Sequence, residues 1–211
     1  MSNKAIIFDL DGVLVDSKEL HYDALNLALR SVNEKYYITR QEQAETFEGM
    51  TTRSKLDILT YTRGLPKELH DYIWNLKQQY SAAMFEDLPR DEELISLFKH
   101  INDQGIVIGV ASNSIRQTLT NCLEALGVWR YVEVSLSNED VKNPKPNPEI
   151  YNLCMLMLGS VPSSTIVFED SEIGRAAASQ SGAHLVEVKS RKDLTIPFVQ
   201  RMIEGYFNYF E

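Results

Sequence analysis

The sequence has no hydrophobic run long enough to cross a membrane, since no window approaches about 20 consecutive apolar residues. Its first residues, MSNKAIIFDLDG, lack the apolar stretch and the small-residue cleavage site of a secretion leader. Internal repeats and low-complexity segments are absent as well. These absences lead us to expect a soluble, cytoplasmic protein that does not act at a membrane.

Cysteine is scarce, and acidic residues outnumber basic ones. The two cysteines, Cys122 and Cys154, lie in helix-like stretches without the spacing of metal ligands, so we expect buried thiols and no disulfide. The 30 acidic and 21 basic residues give a net charge of −9. This excess of negative charge argues against binding to nucleic acid, whose phosphate backbone needs a basic surface. A small anionic ligand, held by a few local cations, is still possible.

An alternation of apolar strands with helices is what the sequence does contain. Four short apolar runs are too brief for helices and predict buried strands: AIIFDL, IVIGVA, STIVFE and AHLVEV. Three intervening stretches, 117–126, 149–158 and 172–181, have helical spacing, and a glycine suited to a left-handed cap follows each. This pattern predicts an α/β fold with a doubly wound, Rossmann-like parallel sheet.

The stretch between the first and second predicted strands is different, because it shows helical spacing without a clear strand. We therefore predict an α/β core domain of residues 1–15 and 89–211, with an inserted helical cap domain of residues 16–88. Open α/β sheets bind ligands at the carboxyl ends of their strands, so a cap inserted there would cover the site. The aromatic tail FVQRMIEGYFNYF predicts a terminal helix on the core, with a dimer contact as the alternative. A monomer is slightly favoured.

Two carboxylates end the first predicted strand, in the sequence Asp9-Leu10-Asp11-Gly12. Alternation along a strand places both aspartates on one side, where they can address the same small volume. Such a pair suits a hard cation such as Mg²⁺. One carboxylate could attack phosphorus while the other transfers a proton. Alone, however, D-x-D-G is equally a strand-to-turn signal.

The ends of the other elements carry polar residues too. Ser112 and Asn113 follow the second strand, where they could hold phosphate oxygens or cap a helix. Lys145, in KPNPEIY, could neutralise a phosphoryl group or be a solvated loop residue. Glu169 and Asp170 form a second acidic pair. Since a parallel sheet brings its strand ends to one edge, the set predicts a Mg²⁺ site facing a phosphate site.

These motifs resemble those of the haloacid dehalogenase superfamily along the whole chain. FDLDGVLVDS, VASNS, KPNPEIY and FEDSEIGRAAA resemble its first to fourth motifs. The resemblance implies Asp9 as nucleophile and Asp11 as general acid and base, with the backbone carbonyl of Asp11 on the metal. It also implies Ser112 and Lys145 on the phosphoryl group. The implied metal site comprises Asp9, Asp11 and Asp170, with Glu169 alongside.

The β-phosphoglucomutase-like branch, which contains mutases and sugar-phosphate phosphatases, is the most similar. A mutase needs cap cations for a second phosphate. In this sequence Thr52 stands where the mutase arginine is expected, Arg53 and Lys55 are displaced from it, and Lys77 aligns ambiguously. His21 falls where the relatives have a residue near the cap hinge, which makes it a secondary site candidate or a packing residue.

We therefore expect a Mg²⁺-dependent phosphatase that removes phosphate from a small phosphorylated metabolite through an aspartyl-phosphate. A sugar phosphate is the favoured substrate, and phosphoglycolate-like acids and nucleotides are the alternatives. A β-phosphoglucomutase-type mutase is the alternative, and a non-catalytic ligand-binding module is a third hypothesis. Dehalogenases of the superfamily lack the metal and the second aspartate, so Asp11 and Asp170 favour phosphoryl transfer.

Overall fold

The computed structural model describes residues 2–47 and 50–207. The chain divides into two compact units, an α/β unit of Met1–Ser17 with Leu88–Glu211 and a helical unit of Lys18–Asp87. Within the described ranges, every helix is too short or too polar to cross a lipid bilayer.

The α/β unit is built on a sheet of five parallel strands in the order β3-β2-β1-β4-β5. The first strand lies at its centre, where Phe8 is in register with Val110 on one side and Phe168 on the other. This topology confirms the predicted doubly wound α/β fold. The strands are β1 (Ala5–Phe8), β2 (Val107–Ala111), β3 (Val134–Leu136), β4 (Thr165–Glu169) and β5 (His184–Glu187).

Burial explains why these runs form strands. Every residue of β1 and β4 is buried, as expected for parallel strands covered on both faces. The ring of Phe8 stacks on Phe98 and Phe168, with centroids 5.2 and 5.0 Å apart. Removing such a buried ring costs about 3–5 kcal/mol, so this aromatic layer holds the centre of the sheet in place.

The helical unit contains no strand within residues 18–47 and 50–87. Its helices are α1 (Lys18–Val32), α2 (Arg40–Glu42), α3 (Thr52–Arg63) and α4 (His70–Glu86), and a π-helical turn, Gln43–Phe47, follows α2. Apolar side chains from α1, α3 and α4 form its core, including Leu29, Leu56 and Ile73. The Asn26 side chain exchanges two hydrogen bonds with the backbone of Ile38, which fixes the loop after α1.

Among the described residues, the α-helices of the α/β unit are α5 (Glu92–Asp103), α6 (Arg116–Ala125), α7 (Glu149–Leu158), α8 (Glu172–Ser181) and α9 (Ile196–Phe207). The limits of α7 and α8 are the predicted ones, and each helix ends at a glycine with positive φ. Val199, Ile203 and Phe207 of α9 are buried, which confirms the predicted packing of the tail helix. The remainder of the predicted tail, 208–210, lies outside the described residues.

Candidate active site

The end of β1 provides the first part of the site. Asp9 follows the last strand residue, is only 6% exposed, and donates its amide proton to the carbonyl of Phe168 on β4. After Asp11 the chain turns at once, because Gly12 has φ +85° and its N–H donates to the carbonyl of Val15 at 2.7 Å. The strand and this turn together place both carboxylates at the carboxyl edge of the sheet.

Lys145 brings a buried positive charge to Asp9. Its Nζ donates to Oδ1 of Asp9 at 2.7 Å, to the carbonyl of Ala111 at 2.9 Å and to Oε1 of Glu169 at 2.6 Å. All three ammonium protons therefore have protein acceptors, and the side chain has one defined position.

Asn113, predicted to bind substrate, lies against the backbone of the Lys145 loop. Its amide nitrogen donates to the carbonyl of Lys145 at 3.2 Å, and its Oδ1 accepts from the Lys145 N–H at 3.1 Å. This pair of hydrogen bonds ties the loop before α7 to the end of β2. The contact positions the lysine, whereas substrate binding by Asn113 stays a prediction.

Two hydroxyl groups face Asp11. Ser114, which sequence reasoning missed, donates from its hydroxyl to Oδ2 of Asp11 at 2.7 Å, and Ser112 lies 3.4 Å from the same oxygen. The hydroxyl oxygen of Ser112 in turn accepts from the N–H of Ser114 at 2.9 Å. In the sequence Ser112-Asn113-Ser114, nothing distinguished Ser114 from an ordinary helix cap.

Three carboxylates form a candidate metal centre. Oxygen atoms of Asp9, Glu169 and Asp170 all lie within 4.8 Å of one another. A methyl group at Gly12 would lie 2.1 Å from Oδ2 of Asp170, so only glycine lets this carboxylate approach the turn. Carboxylate oxygens are the ligands that Mg²⁺ prefers, and a divalent cation would offset their mutual repulsion. The residues present therefore fit a magnesium ion.

Burial and charge shift the pKa values of the central pair. Burial raises the pKa of Asp9 well above its usual value, and the charge of Lys145 only partly opposes this effect. Burial alone would lower the pKa of Lys145, but the carboxylates of Asp9 and Glu169 outweigh it and raise that pKa. Lys145 is therefore held as an ammonium group at neutral pH.

Tyr151 was also missed by sequence reasoning, because within the apolar spacing of α7 it was indistinguishable from an ordinary core residue. Its hydroxyl donates to Oε1 of Glu169 at 2.7 Å, and its ring lies under the ammonium of Lys145, 4.8 Å from Nζ to centroid. Burial, followed by the charge of Glu169, raises the pKa of this tyrosine well above its usual value.

The remaining candidates belong to the helical unit. The ring nitrogen Nδ1 of His21 lies 3.1 Å from Nζ of Lys77, and the imidazole packs near the ring of Phe85. Arg53 is half exposed, pairs with Asp71 at 2.5 Å and covers the ring of Trp74. Lys55 is 9% exposed and donates to Oε1 of Gln43 at 3.0 Å, and its burial lowers its pKa.

The parallel sheet ends its central strand in a buried aspartate that faces a buried lysine and a second acidic pair, which is the arrangement that the sequence predicted for phosphoryl transfer. Residues 6–188 match the family described as haloacid dehalogenase-like hydrolase. The chain belongs to this family, which confirms the resemblance found in its four motifs.

Several relatives of this chain have named activities. A phosphorylated carbohydrates phosphatase from Thermotoga maritima is 27% identical over 179 residues, which cover 85% of this chain and 82% of that protein. The pyrophosphatase PpaX from Bacillus pumilus is 26% identical over 204 residues, covering 90% of this chain and 86% of that protein. These relatives support the expected phosphomonoester hydrolase activity.

Solved structures show the same fold. A β-phosphoglucomutase from Clostridium difficile has a TM-score of 0.75 to this chain at 23% identity, with 99% of each chain covered. At this level of identity the likeness concerns the fold alone.

Proposed function

We propose that this chain is a Mg²⁺-dependent phosphatase that removes phosphate from a small phosphorylated sugar through an aspartyl-phosphate on Asp9. The observation that carries the proposal is the contact of a buried carboxylate with a buried ammonium, Asp9 Oδ1 to Lys145 Nζ, at 2.7 Å. The similarity to a phosphorylated carbohydrates phosphatase supports a sugar phosphate as the substrate. In this proposal the helical unit serves as the cap domain.

The first proposed step forms a covalent bond to Asp9. A carboxylate oxygen of Asp9 attacks phosphorus while the bond from phosphorus to the sugar oxygen breaks. The leaving oxygen takes its proton from Asp11, and the ammonium of Lys145 neutralises the charge on the phosphoryl oxygens. The hydroxyl group of Ser112, at the end of β2, is proposed to donate to the same phosphoryl group.

The second proposed step releases phosphate. Asp11, now a carboxylate, accepts a proton from water as the water oxygen attacks phosphorus of the aspartyl-phosphate. The bond between phosphorus and Asp9 breaks, which regenerates the carboxylate and frees inorganic phosphate. The hydrogen bond from Ser114 orients Asp11 in the ligand-free site.

Asp9 and Asp170 would hold the magnesium ion, together with the backbone carbonyl of Asp11. When bound, the ion supplies positive charge that stabilises the phosphoryl oxygens and keeps Asp9 ionised. Among the described residues, four carboxylates and one ammonium group surround the site, so a divalent cation would also offset most of its negative charge. The choice of magnesium over other divalent ions is part of the proposal.

Contacts inside the helical unit favour the phosphatase over the mutase. A mutase must hold a second phosphate with cap cations, yet the guanidinium of Arg53 is paired with Asp71. The ammonium of Lys77 contacts His21. These partners would compete with a phosphate for the cations. A role for His21 in coupling cap closure to catalysis stays a prediction.

The test is a screen of phosphorylated sugars with Mg²⁺ and, in parallel, with EDTA, scoring released phosphate. The same wells are assayed for conversion of β-glucose 1-phosphate to glucose 6-phosphate. Phosphate release that EDTA suppresses is the expected result. Isomerisation without phosphate release would favour the mutase, and binding without either reaction would favour the non-catalytic module.

A further inference from the structure

Glu169 has no carboxylate oxygen left for a metal ion. Its Oε1 accepts hydrogen bonds from Lys145 at 2.6 Å and from Tyr151 at 2.7 Å. Its Oε2 accepts three more, from the N–H groups of Asp170 and Ser171 and from the Ser171 hydroxyl, at 3.1 to 3.2 Å. A carboxylate offers about four lone-pair positions, so five donors already saturate it.

The position of Glu169 is also fixed by packing. The side chain is completely buried, and a methyl group at Gly174 would lie only 1.8 Å from its Oε1. To reach a metal ion, the carboxylate would have to give up buried donors, and each unsatisfied donor costs about 1–3 kcal/mol. Glu169 therefore lies near the metal site without a free oxygen to offer it.

Tyr151 connects this carboxylate to the lysine. It lies in the first turns of α7, six residues after Lys145, so the loop and the helix bring both side chains to Glu169. Its hydroxyl shares Oε1 of Glu169 with the lysine ammonium, while its ring lies beneath that ammonium. A phenylalanine would keep the ring contact but would lose the hydrogen bond.

We propose that Tyr151 and Glu169 are a positioning pair for Lys145, and that Glu169 is not a ligand of the metal ion. Glu169 and the carbonyl of Ala111 hold the ammonium from two sides, so that its third proton points at Asp9. A phosphoryl group on Asp9 would then meet an ammonium already in place. The role in phosphoryl transfer rests on the proposed function, whereas the metal-ligand assignment can be tested without turnover.

The metal arm compares Glu169→Gln with Asp170→Asn. Both substitutions remove one negative charge and keep the side-chain shape, so a purely electrostatic loss of metal affinity should be similar in both. Binding of Mn²⁺ to each folded protein is measured by calorimetry without substrate. We expect the dissociation constant of Asp170→Asn to exceed that of Glu169→Gln by about tenfold or more, because only Asp170 is a ligand. Equal weakening, or greater weakening in Glu169→Gln, would overturn the assignment.

The positioning arm compares Tyr151→Phe with Tyr36→Phe. Tyr36 is a buried tyrosine of the helical unit whose hydroxyl donates to the carbonyl of Gly64, so its variant loses a similar hydrogen bond far from the proposed chemistry in sequence. With an aryl phosphate and Mg²⁺, we expect kcat of Tyr151→Phe to fall about tenfold while KM changes less than about twofold. Calorimetric binding of inorganic phosphate in the presence of Mg²⁺ should weaken several-fold, and Mn²⁺ binding should not change.

Two outcomes would overturn the positioning role. If Tyr151→Phe matches Tyr36→Phe in kcat and in phosphate binding, Tyr151 is only a packing residue. If its Mn²⁺ affinity falls as in Asp170→Asn, the pair acts on the metal and not on the lysine. Failure of the proposed function would look different, since the wild-type protein would then release no phosphate while the Mn²⁺ comparison still decided the ligand assignment.

Discussion

At the scale of single residues, Asp9 is the side chain on which the proposed chemistry depends. Asp9→Asn keeps the size of the side chain and removes the nucleophile, so phosphate release should fall roughly a thousandfold or more. Far-ultraviolet circular dichroism should be unchanged. The matched control is Asp103→Asn, which changes an exposed carboxylate paired with Lys99 and should keep wild-type activity. Near-wild-type turnover in Asp9→Asn would remove Asp9 from the mechanism.

The two cysteines should be chemically inert in the folded protein. Burial raises the pKa of the Cys154 thiol to about 12 and raises that of Cys122 further. A raised thiol pKa means that almost no reactive thiolate exists at pH 8. Iodoacetamide at that pH should therefore leave both residues unmodified in buffer and modify both in urea, as read by mass spectrometry. Rapid modification of the folded chain would contradict this burial.

Residue-scale contacts were the hardest feature to predict from the sequence. Asp9, Lys145 and Asp170 could be predicted as site residues, because each is a charged residue in a recognisable motif at the end of a predicted strand or in a loop. Tyr151 and Ser114 could not be predicted in this way. An aromatic residue on an apolar helix face is usually a core residue, and a serine before a helix is usually a cap. Only the three-dimensional contacts distinguish a tyrosine that packs from one that also holds a carboxylate.

At the scale of elements, the turn after β1 sets how closely the carboxylate of Asp170 can approach the backbone of Gly12. Gly12→Ala would place a methyl group 2.1 Å from Oδ2 of Asp170, in a residue with φ +85°. We expect about a hundredfold loss of activity, because the site is displaced, together with weaker Mg²⁺ binding. Gly105→Ala is the matched control, since Gly105 has φ +73° and an added methyl group there would have no neighbouring atom within 4 Å.

Both glycine variants should lose about 1–2 kcal/mol of stability from the left-handed backbone. Gly12→Ala should lose more because its methyl group would also collide with the carboxylate of Asp170, and only Gly12→Ala should lose activity. Thermal unfolding and phosphate release measured on the same samples separate the two effects. Equal activity in the two variants would mean that Gly12 serves the turn alone.

The segment after β3 carries an acid-sensitive contact. Burial would raise the pKa of Asp140, but hydrogen bonds from the Ser137 N–H and from Arg116 outweigh it and lower that pKa below the usual 3.8. A lowered folded-state pKa gives stability that is fully present above pH 3.8 and is lost as pH falls through the folded value. Asp140→Asn should therefore reduce the decline in unfolding free energy below pH 4, measured by urea denaturation. If the unfolding free energy of Asp140→Asn declined as much below pH 4 as that of the wild type, other titrating groups would be responsible for the decline.

The elements themselves were predictable where the local physics was strong. Fully buried runs such as those of β1 and β4 have no helical interpretation at their length, and glycine caps set the ends of α7 and α8. The prediction missed β3, because Val134–Leu136 has three residues, is interrupted by a serine and lies at the edge of the sheet. An edge strand this short is specified by its neighbour and not by its own sequence.

At the scale of the whole molecule, the sheet order explains why residues distant in the chain form one site. Because β1 lies between β2 and β4, the residues that follow these three strands meet at one edge, as is typical of open α/β sheets. The alternation of strands and helices predicted this arrangement. The spacing of side chains in the helical stretches follows no comparable rule from which a substrate could be predicted. A monomeric state and a cytoplasmic location stay predictions.

The covalent intermediate tests the central claim most directly. The protein is quenched with acid while it hydrolyses a phosphorylated sugar in the presence of Mg²⁺, and is then reduced with sodium borohydride, which converts an aspartyl-phosphate to homoserine. The account predicts homoserine at position 9, found by tandem mass spectrometry. No homoserine should form when EDTA is added or when the Asp9→Asn variant is used. An unmodified Asp9 throughout rapid turnover, or homoserine at another aspartate, would contradict it.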